Sequence, residues 1–372
     1  MKSRTRTKTP GSIACGRDDL PRIAVTMGDP GGIGPEVALK ALRDPAVWKV
    51  CEPILVGDGR FLRNLARLHR LWVEVERFPW RAPGKPGISR RTTRRGQVIS
   101  FRELKKLKRT IWVHDGVRVS KSAPLGRPSK AGGRAAGGAI EEAVRLAAGG
   151  RVEGIATAPV SKESLALAGY GMVGHTELIA DLTGTKRYAM LMVNKGLRVV
   201  FATTHLPLRS VARSITVKNL LEKFNLAQEY LRLYMGLDEV IMGVCCLNPH
   251  CGEGGCLSKE EQTIIEPAIV QARRQGMNVR GPYPADTIFW STIARGFDAI
   301  VAMYHDQGMI PIKRGDRDKI VNITMGIPFI RTSPGHGTAF DLTGGGRASE
   351  GGMVNAILEC ARIAKRVRLA GR

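Results

Sequence analysis

The sequence lacks any apolar run of the roughly 20 residues that a membrane-spanning helix requires, so we expect no transmembrane segment. Its N-terminus has no hydrophobic core segment, and we therefore expect no signal peptide. The glycines of the strand–loop–helix stretch Gly28–Glu36 are not spaced G-x-G-x-x-G, and no P-loop lysine followed by Ser or Thr comes after them. We therefore expect neither a Rossmann dinucleotide fold nor a P-loop nucleotide site.

Acidic residues are scarce: 33 Asp and Glu stand against 58 Lys and Arg, which gives a net charge of +25. Much of the excess lies in residues 1–17 and 81–109. Such a charge can attract nucleic acid or phosphorylated small molecules. Aromatic residues make up only 5% of the chain, and no zinc finger, helix-turn-helix or RNA-binding aromatic signature accompanies the charge. A solvated basic surface is the simpler explanation.

The seven cysteines are odd in number and irregular in spacing. This usage predicts reduced thiols and a cytoplasmic protein. Four of them cluster at positions 245, 246, 251 and 256, but the C-x4-C spacing without a second matching pair does not favour a structural zinc site.

Strands alternating with helices along the 372 residues predict an α/β/α sandwich with a largely parallel sheet. Residues 1–20 are basic and without apolar periodicity, which predicts a disordered tail. Residues from about 78 to 110 are basic and interrupted by Pro and Gly, which indicates an exposed insertion.

Three apolar stretches, at residues 197–202, 240–246 and 299–303, are each followed closely by a histidine: His205, His250 and His305. If these strands are neighbours in one sheet, the three imidazoles converge at its edge. Three neutral imidazoles leave an open coordination position, as a catalytic divalent metal requires. Each histidine taken alone is more simply a hydrogen-bonded loop residue, and only the repeated placement favours a metal site.

Three glycine-containing stretches are further candidates. Gly28–Glu36 joins a buried strand to a helix and can cradle an anion, although a tight turn explains it equally well. Gly174–Glu177 places a histidine and a hydroxyl at a helix start, which suits a phosphate. Gly335–Gly346 is rich in glycine and carries His, Thr and Asp, a composition that can wrap an adenosine.

Motifs along the chain resemble those of the 4-hydroxythreonine-4-phosphate dehydrogenase (PdxA) family of vitamin B6 biosynthesis. In order they are GDPGGIGPE, GHTE, TTHLPL, LNPHCGEGG, GPYPADT, AMYHDQG, VNITMGIPFIRTS and HGTAFDL. The resemblance runs from about Arg22 to near the C-terminus. It is weak from about Phe61 to Ile111 and absent from the tail.

This resemblance implies an isocitrate/isopropylmalate dehydrogenase-like fold of two α/β/α domains. Their expected bounds are residues 21–160 plus 331–372, and residues 161–330 with the metal histidines. It also implies a homodimer whose active site is completed across the interface, no membrane association, and a final glycine loop that binds the adenosine of NAD. The GGGR of residues 344–347 and Gly335 depart from the usual family pattern in that loop.

Site residues follow from the same resemblance. The implied metal ligands are His205, His250 and His305. The implied substrate-binding residues are His175, Thr176, Lys313, Asn322 and Arg331. The expected cofactor-binding residues are His336, Gly337, Thr338 and Asp341. The candidates for proton transfer are Lys313, Asp286 and Asp306.

The implied reaction is oxidation of 4-phosphohydroxy-L-threonine by NAD with a divalent metal, expected to be Zn²⁺, with Mg²⁺, Co²⁺ or Mn²⁺ as alternatives. The β-keto acid formed would lose CO₂ to give 3-amino-2-oxopropyl phosphate. Paralogues act on D-threonate or D-erythronate 4-phosphate and are similar in the same histidines. A basic nucleic-acid-binding protein that retains the fold is the alternative of another class.

Overall fold

The computed structural model describes residues 20–80, 90–92, 98–100 and 110–371. The predicted basic tail lies outside these residues except for its last position, and so does most of the predicted insertion. The part of the insertion that is described includes two short strands, Arg90–Thr92 and Val98–Ser100, which pair antiparallel. This segment is therefore not loop throughout.

Fourteen strands are described. They are β1 (Arg22–Thr26), β2 (Glu52–Gly57), β3 (Glu74–Arg77), β4 (Arg90–Thr92), β5 (Val98–Ser100), β6 (Thr110–Asp115), β7 (Gly154–Thr157), β8 (Ala189–Asn194), β9 (Leu197–Phe201), β10 (Ile241–Cys245), β11 (Asn278–Tyr283), β12 (Ala299–Ala302), β13 (Val321–Met325) and β14 (Ile330–Pro334).

The α-helices of the described residues are α1 (Gly34–Ala41), α2 (Pro45–Val50), α3 (Gly59–Leu68), α4 (Lys130–Ala148), α5 (Lys162–Ala168), α6 (His175–Leu182), α7 (Leu208–Ser214), α8 (Val217–Leu233), α9 (Glu266–Arg274), α10 (Ala285–Ile288), α11 (Ser291–Ala294), α12 (His305–Lys313) and α13 (Gly351–Leu369). A π-helical turn, Glu261–Ile265, precedes α9. Among these residues, no helix combines the length and the apolar character needed to cross a bilayer.

Twelve strands form one sheet in the order β11-β10-β12-β9-β8-β13-β14-β7-β1-β2-β6-β3. Pairing is parallel within each outer block, from β11 to β9 and from β14 to β3. The pairs β9–β8, β8–β13 and β13–β14 are antiparallel. The predicted α/β architecture with a largely parallel sheet is confirmed, while the domain bounds at residues 160/161 and 330/331 stay a prediction.

Local sequence explains where the elements near the site begin. β12 and the end of β9 are buried and apolar, as expected of strands in the interior of a parallel block. Helix α1 begins with Pro35 in its first turn and carries Glu36 there, which suits the helix dipole. Helix α5 is capped by Ser161, whose hydroxyl accepts a hydrogen bond from the N–H of Ser164 at 3.1 Å.

Helices α4 and α5 approach each other closely at a glycine. A Cβ placed on Gly133 would lie 1.8 Å from the carbonyl oxygen of Ser164, which is backbone and cannot rotate away. Because α5 leads from β7 towards the cleft described below, this contact fixes the position of one cleft wall.

We expect Gly133→Ala to lower the free energy of unfolding by about 1–3 kcal/mol, because the two helices must separate to admit the methyl group. Chemical denaturation measures this change. Gly59→Ala is the matched control, since a Cβ there meets its nearest atoms at 3.6 Å. Equal stability of the two variants would contradict the close contact.

Candidate active site

A cleft of about 300 Å³ lies over the centre of the sheet. Its floor is one face of the central strands, formed by alternate residues: Met190 and Met192 of β8, Asn322 of β13, and Arg331 and Ser333 of β14. Its walls come from the segments after β7, β9 and β12 and from the start of α6. Of the residues predicted for the site, the following line it: His175, Thr176, His205, His305, Asn322, Arg331, His336 and Gly337.

Two of the three predicted metal histidines face each other in this cleft. Strands β10, β12 and β9 are adjacent and parallel, which meets the condition set for their histidines to approach one another. The ring centroids of His205 and His305 lie 5.7 Å apart. The Nδ1 of His305 is 2.7 Å from the Oδ1 of Asp306, so the carboxylate orients the ring and leaves Nε2 for a ligand.

His205 favours the neutral form that metals bind. Its pKa is lowered, first by burial of the ring and then by the charge of Lys162, with a further contribution from His305. The carboxylate of Glu177 acts in the opposite direction without cancelling these effects. The cleft therefore holds an imidazole that carries a free lone pair at neutral pH.

The third predicted ligand, His250, does not join the other two in the same chain. It lies in the turn Pro249–Gly255, where its φ is 48° and its side chain is 71% exposed. Its Nδ1 pairs with the Oε1 of Glu253 at 2.5 Å. Among the residues the structure describes, no cluster of three metal-binding side chains is found. The three imidazoles do not converge within one chain, because this left-handed turn leaves His250 exposed. The assignment of His205, His250 and His305 as metal ligands stays a prediction.

A disulfide flanks the same turn. Cys246 and Cys251 are bonded, with their Cα atoms 5.1 Å apart, and the bond closes a short ring that includes His250. The prediction that the cysteines are all reduced is therefore wrong for this pair. The free cysteines among the described residues are Cys51, Cys245, Cys256 and Cys360.

Arg331 is the buried cation of the floor and is only 1% exposed. Its Nη1 donates to the hydroxyl of Thr324 at 2.9 Å, and its Nη2 donates to that of Thr157 at 2.8 Å. A longer contact of 3.4 Å reaches the hydroxyl of Thr176. Burial lowers the pKa of Arg331 to about 10, so it remains charged at neutral pH. The nearby carboxylate of Glu177 favours the charged form of Arg331. The Nε of Arg331 has no hydrogen-bond partner among the described residues, so the buried guanidinium is suited to an anionic ligand.

His175 lies beside this cation at the start of α6. Its Nε2 is 3.1 Å from the carbonyl oxygen of Ala158 and donates to it in the neutral form. Burial first, and then the charge of Arg331, lower the pKa of His175 well below its ordinary value. Asn322 adds a buried carbonyl oxygen without a partner. This end of the cleft combines the charged Arg331 with two neutral polar groups, His175 and Asn322, and with the nearby carboxylate of Glu177.

Residues 335–348, which we name the C-terminal glycine loop, reach the same cleft. His336 and Gly337 line it, whereas Asp341 is exposed on a short turn, Phe340–Leu342. The departure from the family pattern at Gly335 has a packing reason. A Cβ there would lie 2.3 Å from the Cγ2 of Ile320, and the N–H of Gly335 donates to the Ile320 carbonyl at 3.1 Å.

Two predicted residues lie away from this cleft. Lys313 is exposed at the end of α12, and Asp286 is exposed in α10, where its Oδ1 accepts from the hydroxyl of Thr287. Neither lines the cleft of its own chain.

Lys162, Glu177 and Thr157 also line the cleft, although the sequence indicated no individual role for them. Thr157 ends β7, and Lys162 begins the next helix, α5. Both residues lie where a buried strand ends, which is the pattern that identified His205 and His305. The segment after β7 contains no histidine, so the pattern was not recognised there.

A facing imidazole pair and a buried arginine line one cleft of an α/β protein, and this combination suits the cleft to an anionic small molecule. Comparison with known proteins is more specific. The family described as pyridoxal phosphate biosynthetic protein PdxA matches residues 49–360. The chain belongs to this family.

Relatives cover nearly the whole chain. A protein of Geobacter metallireducens named 4-hydroxythreonine-4-phosphate dehydrogenase is 39% identical over 93% of this chain and 96% of its own length. One of Cupriavidus necator named D-threonate 4-phosphate dehydrogenase is 38% identical over 94% of this chain and 99% of its own. The crystal structure of a 4-hydroxythreonine-4-phosphate dehydrogenase from Klebsiella pneumoniae has a TM-score of 0.76 and 36% identity, and covers 92% of this chain and 99% of that one.

The lowered pKa of His175 predicts a pH-dependent stability. As the pH falls below about 6.5, this histidine takes up a proton in the unfolded chain but not in the folded one, so the free energy of unfolding falls. We expect His175→Gln to reduce that dependence by up to about 1.4 kcal/mol per pH unit. Denaturation at several pH values between about 7 and 5 measures it. Identical slopes for variant and wild type would contradict the buried neutral imidazole.

Proposed function

We propose that this protein is a metal- and NAD-dependent dehydrogenase that oxidises 4-phosphohydroxy-L-threonine in pyridoxal phosphate biosynthesis. The β-keto acid so formed loses CO₂ to give 3-amino-2-oxopropyl phosphate. The observation that carries the proposal is the buried Arg331 beside the facing pair His205 and His305, in a chain of the PdxA family.

Arg331 and its surroundings suit the phosphate of the substrate. The guanidinium is fixed by Thr157 and Thr324, so it presents its charge without first having to be ordered. Thr176 at the start of α6 adds a hydroxyl, and the N-terminus of that helix favours an anion. Neutral His175 completes the subsite without adding a second buried charge.

His205 and His305 fit a divalent metal, and a third imidazole would complete the set. His250 is exposed in its own chain and is therefore available to the cleft of a second copy. Imidazole ligands favour Zn²⁺ over Mg²⁺. When bound, the metal polarises the oxygen of the alcohol that is oxidised. Asp306 keeps the His305 ring in the tautomer that leaves Nε2 free.

The C-terminal glycine loop fits the cofactor. A Cβ on Gly337 or Gly344 would meet no atom within 4 Å, so the loop surface is open there. We assign cofactor binding to His336, Gly337, Thr338 and Asp341. When bound, NAD accepts the hydride from the substrate carbon. Because His336 and Gly337 line the cleft that holds the histidine pair, the loop and the reacting end of the substrate share one space.

Exposed apolar side chains surround the histidine-bearing segments. Leu208 is 73% exposed just beyond His205, and Ile310 is 65% exposed on the helix that His305 begins. Leu257, just beyond the His250 turn, is 57% exposed. Large exposed apolar residues near a site are typical of an interface. We propose that a second copy covers them and supplies His250, and that Lys313 and Asp286 transfer protons only in that dimer.

The named relatives give one specific alternative, a dehydrogenase of D-threonate 4-phosphate. The test measures NADH formation by the metal-loaded protein with each of three substrates: 4-phosphohydroxy-L-threonine, D-threonate 4-phosphate and D-erythronate 4-phosphate. We expect the highest kcat/KM with the amino acid. A preference for a sugar acid would retain the mechanism and overturn the pathway. No turnover of any of the three would overturn the proposal.

The shared site predicts complementation between two inactive variants. His205→Ala and His250→Ala should each lose activity because each removes one metal ligand. After subunit exchange, a mixed dimer has one intact site, so an equal mixture should regain about a quarter of the wild-type rate. A mixture of His205→Ala with His305→Ala is the control and should regain none. Failure of the first mixture to regain activity would place His250 in the cleft of its own chain.

A cytoplasmic location is the remaining part of the proposal. The Cys246–Cys251 disulfide is the observation that weighs against it. Thiol quantification on protein isolated under conditions that trap free thiols distinguishes the disulfide-bonded from the reduced form of Cys246 and Cys251.

A further inference from the structure

The C-terminal glycine loop is anchored at its far end by two charged residues of helix α1. The Nζ of Lys40 donates to the carbonyl oxygens of Gly346 and Ala348, each at 2.8 Å. The N–H of Ala348 donates to the Oε1 of Glu36 at 3.0 Å. These three hydrogen bonds join segments more than 300 positions apart in the chain.

Lys40 and Glu36 also form an ion pair with each other. Lys40 also donates to the Oε1 of Glu36 at 2.8 Å, so its three N–H donors meet three acceptors. Glu36 is 2% exposed, and the side chain of Lys40 is 13% exposed. A buried ion pair is stable only while its hydrogen bonds are made, and two of the three that Lys40 makes go to the loop. The Glu36–Lys40 ion pair therefore depends on the loop's backbone for its remaining hydrogen bonds.

Near its start the loop is held by the same helix. The N–H of Ile33, which precedes α1, donates to the carbonyl of Thr338 at 3.0 Å. Between these anchors the loop contains one short turn, and Asp341 and Gly344 are exposed. The conformation of the exposed part thus depends on what holds its two ends.

We propose that Glu36 and Lys40 are positioning residues for the dinucleotide, because they fix the end of the loop that binds it. The inference rests on the proposed function. Neither residue lines the cleft, so neither is expected to touch the substrate or the metal. The groups assigned to phosphate and metal lie on β14 and on segments after β9 and β12, none of which is bonded to this pair.

Lys40→Met tests the proposal, because methionine keeps an unbranched side chain and removes the three donors. The loop carbonyls then lose their partner, and buried Glu36 loses the ammonium that pairs with its Oε1, while the Nε2 of His69 stays 4.0 Å from its Oε2. We expect the Kd of NADH, measured by fluorescence titration, and the KM for NAD to rise roughly tenfold or more, while the KM for the phosphorylated substrate changes by less than about twofold. Lys40→Arg should recover part of the cofactor affinity, since it restores charged donors.

Lys49→Met is the matched control, because Lys49 is exposed on the neighbouring helix α2. It should leave the Kd of NADH and both KM values unchanged. An unchanged Kd for NADH in Lys40→Met would overturn the inference. So would an equal rise of both KM values, since that result would mean a general loss of structure.

Gly346→Ala keeps the inference testable if Lys40→Met does not fold. Gly346 has a φ of 64°, and a Cβ there would lie 2.9 Å from the Nδ1 of His69, so alanine displaces the anchored end without burying a charge. It should weaken NADH binding and spare the substrate KM, and unaltered NADH binding would count against the inference. If the wild-type protein itself binds no NADH, the proposed function fails, which is a different result from equal binding by wild type and variants.

Discussion

The guanidinium of Arg331 is the group on which the cleft depends. Arg331 lies on β14, and its hydroxyl partners Thr157 and Thr324 lie on β7 and β13, the strands on either side of β14 in the sheet. One parallel block therefore meets the antiparallel centre of the sheet through a buried cation. Without those hydroxyls, the charge would be left in an apolar interior at a large free-energy cost. The hydrogen bonds of Arg331 thus form the floor of the site and also join β7, β14 and β13 within the sheet.

Much of this arrangement could be predicted from the sequence, because α/β folds place chemistry where strands end. Apolar runs that end in a polar residue identified the strands that lead to His205 and His305, and the structure makes those strands neighbours. The glycine, histidine and hydroxyl at a helix start indicated His175, and the family resemblance added Arg331 and Asn322, whose place in the cleft no periodicity could indicate. The predicted α/β architecture was correct for the same reason, since buried strands and capped helices have strong local signals.

The features that could not be predicted are the direction in which a side chain points and the direction in which a strand runs, neither of which residue type specifies. The pattern placed His250 after a strand, but the left-handed turn that directs it outward is a backbone property that its residue types do not specify. The disulfide beside it follows from the same turn, which brings Cys246 and Cys251 together. Likewise, the reversed strands β8 and β13 have no sequence signal that separates them from parallel ones. Side chains contributed by a second copy are invisible to any analysis of one chain.

The buried charge of Arg331 has a thermodynamic consequence for the ligand-free protein. Its Nε has no hydrogen-bond partner, and no salt bridge joins the guanidinium to a carboxylate among the described residues, so an anion that binds in the cleft would pair with it directly. Any anion that binds the folded state and not the unfolded one raises the melting temperature by mass action. The phosphate subsite proposed at Arg331 implies that inorganic phosphate would act in this way and would compete with the substrate while it protects the fold. Choice of buffer therefore sets both the apparent stability and the apparent affinity of this protein.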